Sequence, residues 1–120
     1  LVPGVSDSKL VNAISNSYYG ELLDVGIEIY KYKKGFVHAK TMVCDGQVAF
    51  VGTTNLDHRS FELNFEIHQV IYDANIAVQL RNAFYDDLNN SEKIDKAAWS
   101  NRSPIPVFIE RIARLISPVI

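Results

Sequence analysis

Val37–Asn55 reads VHAKTMVCDGQVAFVGTTN, and this stretch decides the fold. Two β-rich runs, 37–44 and 47–51, flank Asp45-Gly46, a pair that supplies the positive φ angles of a tight hairpin turn. An antiparallel hairpin is therefore predicted. Successive strand side chains alternate faces, so His38 and Lys40 at i and i+2 point the same way. An imidazole beside an ammonium suits a phosphodiester: the ring nitrogen attacks phosphorus or delivers a proton, and the lysine charge stabilises the non-bridging oxygens. Asn55 adds neutral donors to those oxygens, and Thr53 offers a hydroxyl nearby. Asp45 stands at an odd offset from His38 and falls in the turn. It joins the catalytic constellation as a structural and electrostatic support, not as the proton acceptor. An imidazole in this role needs its second nitrogen held. The candidate is Glu66, at the start of a strand expected to neighbour the hairpin.

Working outward, Ser6-Asp7-Ser8 offers a helix N-cap. Leu10, Ala13, Ile14, Ser17 and Tyr18 then recur at helical spacing. The helix continues, with a break at Gly20, through Leu23 and ends at Gly26, a candidate C′ glycine. Residues 27–32 read as a strand and 33–35 as the turn leaving it. Residues 65–72 (FEIHQVIY) read as a further strand, and 75–90 as a helix with the stripe Ile76, Leu80, Ala83, Phe84 and Leu88. The segment 101–106 interrupts the pattern. A short amphipathic helix over 107–116 is stopped by Pro118. The order α-β-β-β-β-α predicts an α/β fold: a single domain over 1–120 with a mixed β-sheet, flanking helices and an amphipathic tail at 107–120.

A chain of 120 residues buries one small core. Its 48% hydrophobic and 22% charged residues exclude disorder and fit a soluble globular domain. A net charge of −2 gives no basic footprint, so no nucleic-acid partner is expected. The single Cys44 cannot form an internal disulfide. No apolar run approaches the ~20 residues that span a bilayer. Val2-Pro3-Gly4 reads like the end of a strand whose beginning is missing, which points to a fragment of a longer protein.

The string HxKxxxxDxxxxxxGTxN, from His38 through Lys40 and Asp45 to Gly52, Thr53 and Asn55, resembles the signature of the phospholipase D superfamily. Within it, Val2-Pro3-Gly4, Ser17-Tyr18-Tyr19, Gly35-Phe36, Asn55-Leu56-Asp57, Arg59-Ser60 and Asn64-Phe65-Glu66 resemble bacterial cardiolipin synthases. So does the ending, with Arg111, Arg114-Leu115 and Ser117-Pro118-Val119-Ile120. The resemblance implies most of the C-terminal catalytic half, lacking that half's opening strands, the N-terminal half and the membrane segments. It implies a phosphatidyl transfer in which two phosphatidylglycerol molecules give cardiolipin and glycerol through a phosphohistidine, with no metal and no cofactor. Glu66 matches the acidic residue that orients the histidine in this superfamily. One histidine motif comes from each half, so the implied partners are the N-terminal half of the same parent chain, anionic phospholipid and the membrane surface. His38, in the second motif, is then the general acid/base. The parent is expected at the cell membrane with its catalytic domain facing the cytoplasm, this piece being soluble and inactive alone.

Two other classes compete. A small phosphodiesterase or nuclease would pair two identical chains, each supplying one motif. A non-catalytic half-domain would serve only as an interaction module, which the intact His38, Lys40, Asn55 and Glu66 disfavour. His58 and His68 with Cys44 form no compact ligand set, so no metal is expected. His68 shares a face with Glu66 and reads first as an ordinary sheet histidine. Arg59 and Ser60 serve either a headgroup phosphate at the cleft mouth or a loop-fixing bond. The tail, with Val107, Phe108, Ile112, Leu115 and Ile116 beside Arg111 and Arg114, suits an interfacial helix or a helix docked on its own domain. Its shortness and the opposing Glu110 favour docking.

Overall fold

The computed structural model describes residues 1–5 and 8–116, so Ser6, Asp7 and the residues from Ser117 onward, including Pro118, lie outside the described residues. In chain order the elements are β1 (Val2–Pro3), α1 (Lys9–Asp24), β2 (Tyr30–Tyr32), β3 (Thr41–Cys44), β4 (Val48–Gly52), α2 (His58–Glu62), β5 (His68–Ile71), α3 (Ala74–Leu88), β6 (Ser91–Lys93), α4 (Lys96–Ser100) and α5 (Pro104–Ile116). The α/β class matches the sequence reading, but the strands divide into two small sheets, β1-β2-β6 and β3-β4-β5. The first is mixed, β1 parallel and β6 antiparallel to β2; the second is wholly antiparallel. Each sheet belongs to its own compact unit: Leu1–Val37 with Asn90–Ile120 form one, and His38–Asn89 the other.

In the first unit α1 starts at Ser8, whose side chain accepts from the Val11 N–H. It runs unbroken through Gly20, where a break was predicted, because Tyr19 and Leu23 bury the same face on either side. It stops as predicted. Gly26, at φ +89°, donates to the Leu23 carbonyl and Ile27 to the Leu22 carbonyl, a closure that needs a left-handed residue. The core gathers Tyr19, Leu23, Ile29 and Ile94, with Val2 and Trp99 packed on it. Burying a side chain such as Leu23 contributes about 1.5–3 kcal/mol. The predicted strand 27–32 shortens to β2, since β1 and β6 provide pairing only there, although Ile94 N–H still bonds the Ile29 carbonyl. Three elements escaped the sequence reading: β6, α2 and α4. Each is five residues or fewer.

Helix α5 begins three residues before its predicted start, at Pro104, where the missing proline N–H would lack a partner in any case. It packs against α1. The docking uses polar groups. Arg114 grips Glu21 through both nitrogens and lies 4.1 Å from the Tyr18 ring centroid. Glu110, only 6% exposed, accepts two bonds from Arg102, at 2.8 and 3.0 Å, and Arg102 stacks on Trp99.

In the second unit the hairpin forms as predicted. Asp45 and Gly46 both take positive φ, and Gln47 N–H closes the turn on the Cys44 carbonyl at 3.0 Å. Strand β4 is central: Thr41 faces Val51, Val43 faces Ala49, and Ala49 faces Ile71. Helix α3 covers β3 and β4. Ala49 and Ala77 have no exposed surface, so small side chains let helix and sheet approach closely. The predicted stripe is thus shifted, with Ala77 at its centre and Ile76 and Phe84 left partly exposed.

Candidate functional site

The site residues named from the sequence all fall in the second unit, on the hairpin, its flanks and the entry to β5. The predicted strand over 37–44 is shorter than expected. Its regular part starts at Thr41, leaving His38 and Lys40 in the irregular segment before it. The ladder explains this. Gly52 N–H bonds the Lys40 carbonyl at 3.0 Å, after which the Thr53 N–H turns to the Ile67 carbonyl at 3.1 Å. His38 is exposed, and the Lys40 ammonium turns back to donate to the His38 carbonyl at 2.9 Å.

Beside them the loop after β4 is tied firmly to β5. Thr53 donates its hydroxyl proton to Glu66 Oε2, while its oxygen accepts from Ile67 N–H at 3.1 Å. Thr54 shares a hydrogen bond with His68 Nε2. Hydrogen bonds from Thr53, then Ser60 and Asn64, with the nearby His68, hold the Glu66 carboxyl below the usual carboxylate range. Glu66 is thereby kept ionised and positioned.

Ser60, buried at 6% exposure, accepts from the backbone N–H of Asn55 at 3.0 Å, and its own N–H is capped by Asp57 at 2.8 Å. Of the two readings offered for Ser60, the loop-fixing one describes what it touches. Asp57 opens α2 where the sequence reading saw only loop. The signal was an Asp capping the third N–H after it, too local to be noticed inside a five-residue helix. Gly52 was named in the string, but its packing role was not read. A Cβ there would stand 2.5 Å from the Ile67 carbonyl oxygen and against the His68 ring, so only glycine permits this close strand crossing.

Asp45 is placed apart. It sits in the turn at the opposite end of β3 from Lys40, ~17 Å away at ~3.4 Å per strand residue. The structure thus brings Thr53 to Glu66 and Lys40 to the His38 backbone, and keeps Asp45 at the turn. Among the described residues no three His, Cys, Asp or Glu cluster to hold a metal ion. No described helix is long and apolar enough to cross a membrane.

The second unit thus sets His38 and Lys40 just before β3 and ties the loop after β4 to β5. Residues 1–88 match the family model described as cardiolipin synthase, phospholipase D-like domain, and the chain belongs to that family. It is 42% identical over 120 residues to a cardiolipin synthase of Staphylococcus aureus (strain Mu50), covering 100% of this chain and 24% of that protein. Cardiolipin synthases of Oceanobacillus iheyensis and Listeria welshimeri match over the same 120 residues at 42% and 39% identity, with 25% of each covered. The chain therefore spans about a quarter of the length of these relatives. No solved structure matches it.

Proposed function

We propose that this chain is most of one half of the catalytic domain of a phosphatidyltransferase that makes cardiolipin from two phosphatidylglycerol molecules. The observation that carries the proposal is the complete His38–Asn55 string inside a chain so similar to named cardiolipin synthases. In the reaction a histidine nitrogen of the other half attacks phosphorus and the bond to glycerol breaks. His38, as general acid, protonates the departing glycerol oxygen. It then removes the proton from the hydroxyl of a second phosphatidylglycerol, which attacks the phosphohistidine and releases the histidine. Lys40 and Asn55 act on the non-bridging oxygens. Glu66 orients the His38 ring, a task served by its being held ionised. Thr53 gives its one hydroxyl proton to Glu66 and so acts through that carboxylate. Asp45 supports the turn.

One imidazole cannot stand on both sides of phosphorus in an in-line displacement, so the second motif comes from elsewhere in the parent. The test uses the whole parent protein with phosphatidylglycerol as the only lipid. Cardiolipin and glycerol should appear in equal amounts, and His38→Ala should remove both. The 120-residue chain alone should not hydrolyse a chromogenic phosphodiester. Turnover by this chain that His38→Ala abolishes would replace the half-site with a homodimeric phosphodiesterase.

A further inference from the structure

Helix α5 is docked with its polarity inverted. The side turned to the protein carries Glu110, Ala113 and the Arg114 contact with Glu21, whereas Ile105, Phe108, Ile109, Ile112, Leu115 and Ile116 are all exposed. These six recur at three- and four-residue steps and form one continuous apolar face, without a polar side chain among them. The docked and interfacial readings of this segment are consequently compatible, since docking consumes the polar face only.

We propose that this outer face of α5 lies in the interfacial zone of an anionic phospholipid bilayer. Two observations fit lipid. The face is apolar throughout, and hydrocarbon accepts it without a hydrogen-bonding partner. The charges are also complementary. The only carboxylate of the helix, Glu110, is buried and clamped by Arg102, so nothing acidic on α5 faces outward. Arg111 is exposed at the edge of the apolar arc, next in angle to Leu115, where its stem lies along hydrocarbon and its guanidinium reaches headgroup phosphates. The inference rests on the phospholipid reading above for the lipid that would be present, and it assigns α5 the task of holding this half at the surface where that substrate resides.

The test is flotation of the 120-residue chain with vesicles of equal parts phosphatidylglycerol and phosphatidylcholine, in a His38→Ala background so that turnover plays no part. Phe108→Glu with Leu115→Glu alters side chains that are 64% and 79% exposed, which leaves the core intact, and circular dichroism checks this. The parent chain should bind and the double variant should bind at least about tenfold more weakly. Arg111→Gln should retain binding but lose most of the preference over pure phosphatidylcholine vesicles. Equal binding by the double variant, or no binding by the parent chain, overturns the proposal. So does self-association of the parent chain that the double variant abolishes without any vesicle binding, which makes the face a contact between copies. Vesicle binding without cardiolipin synthesis in the whole protein would instead remove the catalytic reading and leave this one standing.

Discussion

At the scale of single residues, the site depends on pairs that lie far apart in sequence. Thr53→Val deletes the hydroxyl that lowers the Glu66 pKa and accepts from Ile67 N–H. The Glu66 carboxyl should then titrate closer to the ordinary glutamate range, as carboxyl-carbon NMR would read. The sign follows from the depressed folded-state pKa. Its contribution to stability is full above the ordinary carboxylate range and is lost as pH falls through the folded value. The difference in stability between Thr53→Val and the parent chain should therefore narrow on acidification, and a constant difference would remove the ionised-carboxylate account. Gly52→Ala pushes a Cβ against His68 and the Ile67 carbonyl, and should cost about 1–3 kcal/mol in urea denaturation. His38, Lys40, Asp45, Thr53 and Asn55 were named as candidates because their spacing in and beside one hairpin is a local pattern. The ties to Thr54 and Ser60 were not, since each bond joins a loop to a residue whose position the fold alone sets.

At the scale of elements, ends were easier to read than extents. Asp73 caps α3 by accepting from Asn75 N–H at 2.8 Å and Ile76 N–H at 3.1 Å, so Asp73→Ala should cost about 1 kcal/mol of stability. Gly26 and Asp45-Gly46 were found for the same reason: a positive φ is a local demand that few residues meet. Strand extents depend on a partner. Strand β6 (SEK) has no apolar alternation and exists because Tyr30–Tyr32 offers it an edge. In α5 the Arg102–Glu110 pair fixes which face turns inward. Arg102→Ala leaves a buried carboxylate without its partner and should cost about 3 kcal/mol, at the low end for such pairs because Arg102 keeps 24% of its side chain exposed. Chemical denaturation of the variant checks this, and an unchanged midpoint would mean that the pair does not set the orientation.

At the scale of the molecule, the chain has two compact units, each with its own sheet. Leu23 lies in the core of the first, beside Tyr19, Ile29 and Ile94. Leu23→Ala should cost about 2–4 kcal/mol, and hydrogen exchange should show protection falling first at β2 and β6. What the sequence by itself determined were the α/β class, the hairpin turn, the stop of α1 and the string that carries the family. All are encoded within a few residues, by φ restrictions, capping groups or fixed spacing. The tertiary structure alone decided that the strands divide into two sheets, that β3 begins after Lys40, that Thr53 reaches Glu66, and that α5 turns its charged face inward. These depend on hydrogen-bond partners and ion pairs brought together from distant parts of the chain, and hydrophobic periodicity finds the faces of a helix without saying which one the protein will cover.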